Sequence, residues 1–112
     1  MSKVTTPRTL DYYKDLSGQV PYKSWFDALK DKTRQLKIEA RLARVRAGNF
    51  GDYKGVGEGV KELKFNDGTR VYVGEDGPSI VILLCGGDKS SQKKDIKLAK
   101  EYWSDFKTRK KK

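Results

Sequence analysis

The sequence has no histidine, one cysteine, one methionine and three prolines in 112 residues. The missing histidine excludes the most. Without an imidazole there is no Ser-His-Asp triad, no histidine general base and no zinc site of the common histidine-bearing kinds. Carboxylates are scattered without metal-ligand spacing, which argues against a two-metal nuclease. No metal and no other cofactor is expected. The lone thiol, Cys85, ends an apolar run, and with no histidine to activate it Cys85 reads as a small buried hydrophobe. Long apolar stretches are missing too. None approaches the roughly 18 residues of a membrane span, and the first residues lack the apolar segment of a signal peptide. A cytoplasmic protein with no membrane association is the expectation. Acidic residues are outnumbered, 15 against 25 lysines and arginines, for a net charge of +10. That excess favours phosphate-rich or acidic partners, nucleic acid first. Part of it lies in a Lys-Arg tail, 107–112, that need not be ordered. The length suits one domain spanning 1–112, with its core at about 9–106.

What is present centres on the stretch from Glu58 to Asp95. Val60 to Phe65 and Arg70 to Val73 flank Asn66-Asp67-Gly68-Thr69, whose Asp-Gly supplies the positive φ of a hairpin turn. A second turn, Gly74 to Ser79, leads to Ile80–Cys85, the one unbroken apolar run. Six apolar residues in a row suit a strand covered on both faces, hence the middle of a sheet. The two strands before it alternate. Val60, Glu62 and Lys64 share one face, and Lys61, Leu63 and Phe65 the other; Arg70 and Tyr72 share a face on the next strand. Such a sheet presents fixed cations and a phenol beside a basic helix start.

Around this stretch, residues 1–8 read as a loose leader and Thr9–Lys14 as a first strand, with Leu10 and Tyr12 on one face. Pro21 suits a helix start, and Tyr22, Trp25, Phe26 and Leu29 follow at helical spacing as a core stripe. A second helix spans about Lys32–Ala47 and stops at Gly48-Asn49. On it Leu36, Ala40, Ala43 and Ala47 form one apolar row and Ile38, Leu42 and Val45 the next. Arg34, Lys37, Arg41 and Arg44 form a cationic ridge opposite, open to three readings: a solvated face, a track for an RNA backbone, or a seat for an acidic partner protein. Asn49–Gly59 holds four glycines and no apolar period, so it reads as a loop. Neither GxGxxG nor a P-loop is present, and Lys54 there is either a phosphate contact or a plain surface lysine. Ser90 or Ser91 can cap the last helix, with Asp95 in its first turn. That helix buries Ile96, Ala99, Trp103 and Phe106 and turns Lys93, Lys97 and Lys100 outward.

The element order β-α-α-β-β-β-α predicts a small α+β domain, an antiparallel-rich sheet with helices packed on it. Together with Pro21-Tyr22-Lys23-Ser24-Trp25-Phe26, the Gly48-Asn49-Phe50-Gly51-Asp52 word, Gly59-Val60-Lys61-Glu62-Leu63-Lys64, Arg70-Val71-Tyr72 and Leu83 to Gln92 (LLCGGDKSSQ), it resembles the RelE/ParE superfamily of bacterial toxins. The likeness is to the HigB-like, phage-derived addiction module killer branch, and it covers roughly residues 9–106.

The resemblance implies a ribosome-associated mRNA interferase that arrests growth by blocking translation. It also implies a cognate helix-turn-helix antitoxin that holds the toxin inactive and carries the complex to operator DNA. Members of that kind cleave RNA without metal, by attack of a ribose 2′-hydroxyl on the adjacent phosphate. By position, Arg70 would hold the scissile phosphate, Lys64 is the basic residue of the first meander strand, and Lys89 would stabilise the transition state or leaving group. Lys61, Tyr72, Lys54 and Lys93 are the candidate RNA contacts, and Arg34, Lys37, Arg41 and Arg44 the candidate antitoxin contacts. Where the RelE branch carries a tyrosine after the last strand, spacing puts Asp95, so the acid–base assignment does not carry over. ParE-type relatives on this fold inhibit DNA gyrase and cleave nothing, which leaves a non-catalytic toxin as one alternative and a plain basic nucleic-acid-binding module as another.

Overall fold

A computed structural model describes residues 7–110. The expected leader lies mostly outside the described residues. Five strands and three helices follow in the order β1 (Thr9–Tyr12), α1 (Pro21–Ala28), α2 (Lys32–Arg46), β2 (Tyr53–Gly57), β3 (Val60–Lys64), β4 (Thr69–Asp76), β5 (Ile80–Asp88) and α3 (Gln92–Lys110). The sheet order is β1-β5-β4-β3-β2; β1 joins β5 in parallel and every other pair is antiparallel. This is the expected α+β class, with one strand more than expected. No helix among the described residues is long and apolar enough to cross a membrane.

The extra strand, β2, lies in the glycine-rich segment that reads as a loop. It is an edge strand with four of its five residues exposed, so no alternation of apolar and polar residues marks it. Glu58 (φ 57) and Gly59 (φ 86) form the turn into β3, with positive φ at both central positions as a tight hairpin demands. A register shift between Gly55 and Gly57 bends the free edge, a common way of discouraging edge-to-edge pairing.

Both faces of the sheet are covered. On one, α1 and α2 bring Tyr22, Ile38, Leu42 and Val45 onto Leu63, Val71, Val73, Val81 and Leu83. On the other, α3 lays Ala99 and Trp103 over Val60, Tyr72, Ile82 and Leu84. The apolar run of β5 thus serves two cores, as its unbroken pattern predicts. Proline opens α1 without a side-chain cap, while Asp31 caps α2 by accepting from the Arg34 amide at 3.1 Å. The rotation of α2 differs from expectation. Its inward row is Ile38, Arg41, Leu42 and Val45, whereas Leu36, Ala40, Ala43 and Ala47 face outward. The basic tail is also ordered further than expected, since α3 continues to Lys110.

Burial fixes the protonation of several groups in these cores. It is the first cause raising the phenols of Tyr22 and Tyr72, and with Asp105 alongside it pushes Tyr13 up to about 12; the Cys85 thiol is likewise pushed up to about 12. A group with a raised folded pKa adds stability that is whole below its unfolded pKa and is lost as pH rises through the folded one. Stability should therefore hold to about pH 8 and decline above it, first as the unfolded thiol ionises and more steeply from about pH 10 as the unfolded phenols do. The urea midpoint, followed with the tyrosinate absorbance, checks this. A midpoint that stays level from about pH 8 to about pH 11 would contradict it.

Candidate functional site

The residues singled out for chemistry gather at one end of the sheet. Lys64 on β3 pairs across to Arg70 on β4, and Arg70 pairs with Gly87 on β5. Lys89 follows Gly87 closely, in a single 3₁₀ turn, Lys89–Ser91, that leads into α3. Its aliphatic stem runs beside the β3–β4 turn, with Cδ 3.7 Å from where a side chain on Gly68 would begin. Arg34 joins the same end from α2, its Nε donating to Thr69 Oγ1 at 2.8 Å. Four cations from four elements thus surround one corner.

Two carboxylates at this corner shape the local backbone. Asp67 accepts from the Thr69 amide at 3.0 Å, and this bond first, with Arg34 and Lys37 adding to it, holds its pKa below the usual aspartate value. Asp88 accepts from both the hydroxyl (2.6 Å) and the amide (2.9 Å) of Ser90, which lower its pKa in the same direction. Its box with Ser91 fixes the turn that carries Lys89.

Behind the corner lies a buried polar cluster that the sequence reading did not anticipate. Glu62 has no exposure at all; its Oε2 accepts from the Tyr72 hydroxyl at 2.9 Å and from Gln92 Nε2 at 2.8 Å. Arg70 is only 7% exposed, and its Nη1 donates to the Phe65 and Thr69 carbonyls at 3.2 and 2.9 Å. Asp95, 7% exposed, sits over Gly87 and accepts from Ser91 Oγ at 2.5 Å. The one signal available was Glu62 itself, a charge on the same strand face as the apolar Val60.

Three expected contacts change. Tyr72 cannot stack a base, because it is wholly buried under α3 and its hydroxyl is bound to Glu62. Lys61 belongs to the other face of the sheet, where its ammonium pairs with Glu75 at 2.5 Å and lies 5.7 Å from the Tyr53 ring. Arg41 is no part of an outer ridge. It is 6% exposed, its guanidinium donates to the carbonyls of Phe50, Asp52 and Lys64 at 3.0, 2.5 and 2.7 Å, and it lies over the Phe65 ring. Asp95 is held in place by Ser91 and Gly87 and is not offered to solvent.

The remaining candidates stay accessible. Lys54 is exposed on β2 opposite Glu62, hence on the same sheet face as Arg70, and Lys93 is exposed in the first turn of α3. Lys37 and Arg44 are exposed on α2 and line, with Lys64 and Asn66, a groove of about 390 Å³. The ridge imagined on α2 is thus two cations facing the β3–β4 turn, with Arg34 and Arg41 tied down.

Fold and site together define a small α+β protein whose sheet ends in a cationic corner backed by buried carboxylates. No family model matches the chain. It is 49% identical over 81 residues to an uncharacterized protein of Haemophilus influenzae, an alignment that takes in 70% of this chain and 82% of that protein. The chain belongs to the same family as that protein.

Proposed function

We propose that this protein is the toxin of a type II toxin–antitoxin pair of the RelE/ParE kind, a metal-independent endoribonuclease that cuts translated mRNA in the cytoplasm. The observation supporting this is the convergence of Lys64, Arg70 and Lys89 from three elements on one corner. In such a reaction the substrate's 2′-oxygen attacks the adjacent phosphorus and loses its proton. The bond from phosphorus to the 5′-oxygen breaks, and that oxygen gains a proton, leaving a cyclic phosphate and a free 5′-hydroxyl. The protein has to align the attacking and leaving oxygens and balance the extra negative charge of the phosphorane. Arg70 holds the phosphate, and Lys64 and Lys89 flank it. A cognate antitoxin of helix-turn-helix type would silence the site by covering the groove that Lys37 and Arg44 line, and would bring the pair to operator DNA.

Because Arg70 is part of the core, the informative substitutions are Lys64→Ala and Lys89→Ala. Induced expression followed by primer extension on an abundant mRNA should show new 5′ ends within minutes for the parent. Each lysine variant should cut about 100-fold more slowly while remaining folded. A folded double variant that cuts at the parent rate would remove the proposed site. A second reading, a gyrase-inhibiting toxin without catalysis, is favoured by the burial of Tyr72 and the engagement of Asp95, which withdraw two groups capable of proton transfer. Growth arrest with intact mRNA and lost supercoiling would support it, and RNA binding without arrest would leave a binding module.

A further inference from the structure

The polar atoms behind the cationic corner are unevenly satisfied. Both donors onto Glu62, from Tyr72 and Gln92, converge on its Oε2. Among the described residues its Oε1 accepts nothing and faces Arg70 Nε at 3.9 Å, which in turn has no acceptor. Arg70 Nη1 is engaged by two backbone carbonyls, and Nη2 makes no hydrogen bond among the described residues. A nine-tenths buried guanidinium is thus gripped along one edge and faced by a carboxylate along another.

We infer that Glu62 is the positioning residue of Arg70, fixing the guanidinium so that Nη2 is the nitrogen offered to a phosphate, an inference that rests on the endoribonuclease reading above. Two physical requirements meet here. A buried cation without a counter-charge is strongly destabilising, and a long flexible side chain is useful at a reacting phosphate only when its supporting contacts hold it within a fraction of an ångström. Glu62 meets both requirements. Gln92 and Tyr72 hold Glu62 in turn, so the orientation of Arg70 depends on the seating of the first turn of α3.

Glu62→Gln isolates the effect. It removes the negative charge that faces Arg70 Nε while leaving an amide oxygen and nitrogen to meet the Tyr72 and Gln92 groups. The volume is unchanged. Cleavage of a single-stranded RNA oligonucleotide, alone and with translating ribosomes, should fall about 100-fold in kcat with KM little altered. Val60→Ala, which truncates a buried side chain on the same strand, should be destabilised yet keep the parent rate per folded molecule. Gln92→Ala, at a half-buried position, should show a smaller loss in the same direction and serves if Glu62→Gln does not fold. Glu62→Gln cutting at the parent rate while folded, or Val60→Ala slowed equally, overturns the inference. If the parent leaves RNA uncut in both reactions, the endoribonuclease reading fails by itself. The salt dependence of RNA binding then decides for Glu62: a slope smaller by about one supports positioning, and an unchanged slope overturns it.

Discussion

Replacing Arg41 with methionine is expected to lower folding stability by about 3 kcal/mol or more, while Arg44→Met, one turn away, should change it by about 0.5 kcal/mol or less. The two arginines look alike in sequence and differ in surroundings. Arg41 passes under the Asn49–Asp52 segment, and its Nε, Nη2 and Nη1 bond the carbonyls of Phe50, Asp52 and Lys64 in turn. It thereby ties the end of β3 to the segment leading into β2. Burial first, and Arg44 second, lower its pKa from the ordinary arginine value, but a guanidinium keeps its proton at any physiological pH. Methionine fills much of the space and donates nothing, so three carbonyls lose this donor together, that of Asp52 keeping the Lys64 amide. Gly51 makes room for this arrangement: at φ 68, a side chain there would begin 2.8 Å from Arg41 Nε. Urea denaturation of the two variants checks the contrast. A difference between them of under about 1 kcal/mol would show that the carbonyls find water instead.

The second large effect is expected at the paired glycines of β5. Adjacent strand residues point to opposite faces, and each glycine accommodates a different neighbour. A Cβ on Gly86 would lie 2.3 Å from the Trp25 ring, and one on Gly87 would lie 1.8 Å from Asp95 Oδ2. Overpacking of this kind costs about 1–3 kcal/mol, and contacts this short belong at or above the top of that range. The two alanine variants should also fail differently. Gly86→Ala displaces the indole and loosens α1. Gly87→Ala drives Asp95 from Ser91 and lifts the start of α3, which uncovers Cys85, whose Sγ lies 3.8 Å from the Asp95 carbonyl. Thiol labelling under native conditions should therefore be faster in Gly87→Ala than in Gly86→Ala, with both variants melting well below the parent. Equal labelling rates would contradict the assignment of the two faces.

Much of this was readable from the chain because periodicity reports burial. Ile80–Cys85 is apolar throughout because β5 serves two cores, and Ala99 and Trp103 stand at helical spacing because α3 offers one face to the sheet. Asp67-Gly68 gave the hairpin its turn. Arg41 was not readable, since an inward arginine and an outward one have the same spacing on a helix. β2 was missed because an exposed edge strand has no inner row to betray it. At the site, the sequence brought Lys64, Arg70 and Lys89 into view as cations. It did not show that Arg70 lies inside, because that depends on the Glu62–Gln92 contact between β3 and the first turn of α3, residues far apart in the chain.

The parallel pairing of β1 with β5 has a consequence for how the molecule is made. Thr9 finds its partner at Ile80 and Tyr12 at Leu83, so β1 leaves the ribosome long before the strand it pairs with. The meander from β2 to β5 is built of neighbouring hairpins and can assemble as it emerges, whereas β1 must close a loop that encloses more than half of the chain. A nascent chain stopped before Ile80 would have neither the partner of β1 nor the turn that carries Lys89. The corner and the strand order thus mature together, once β5 and the turn after it have emerged.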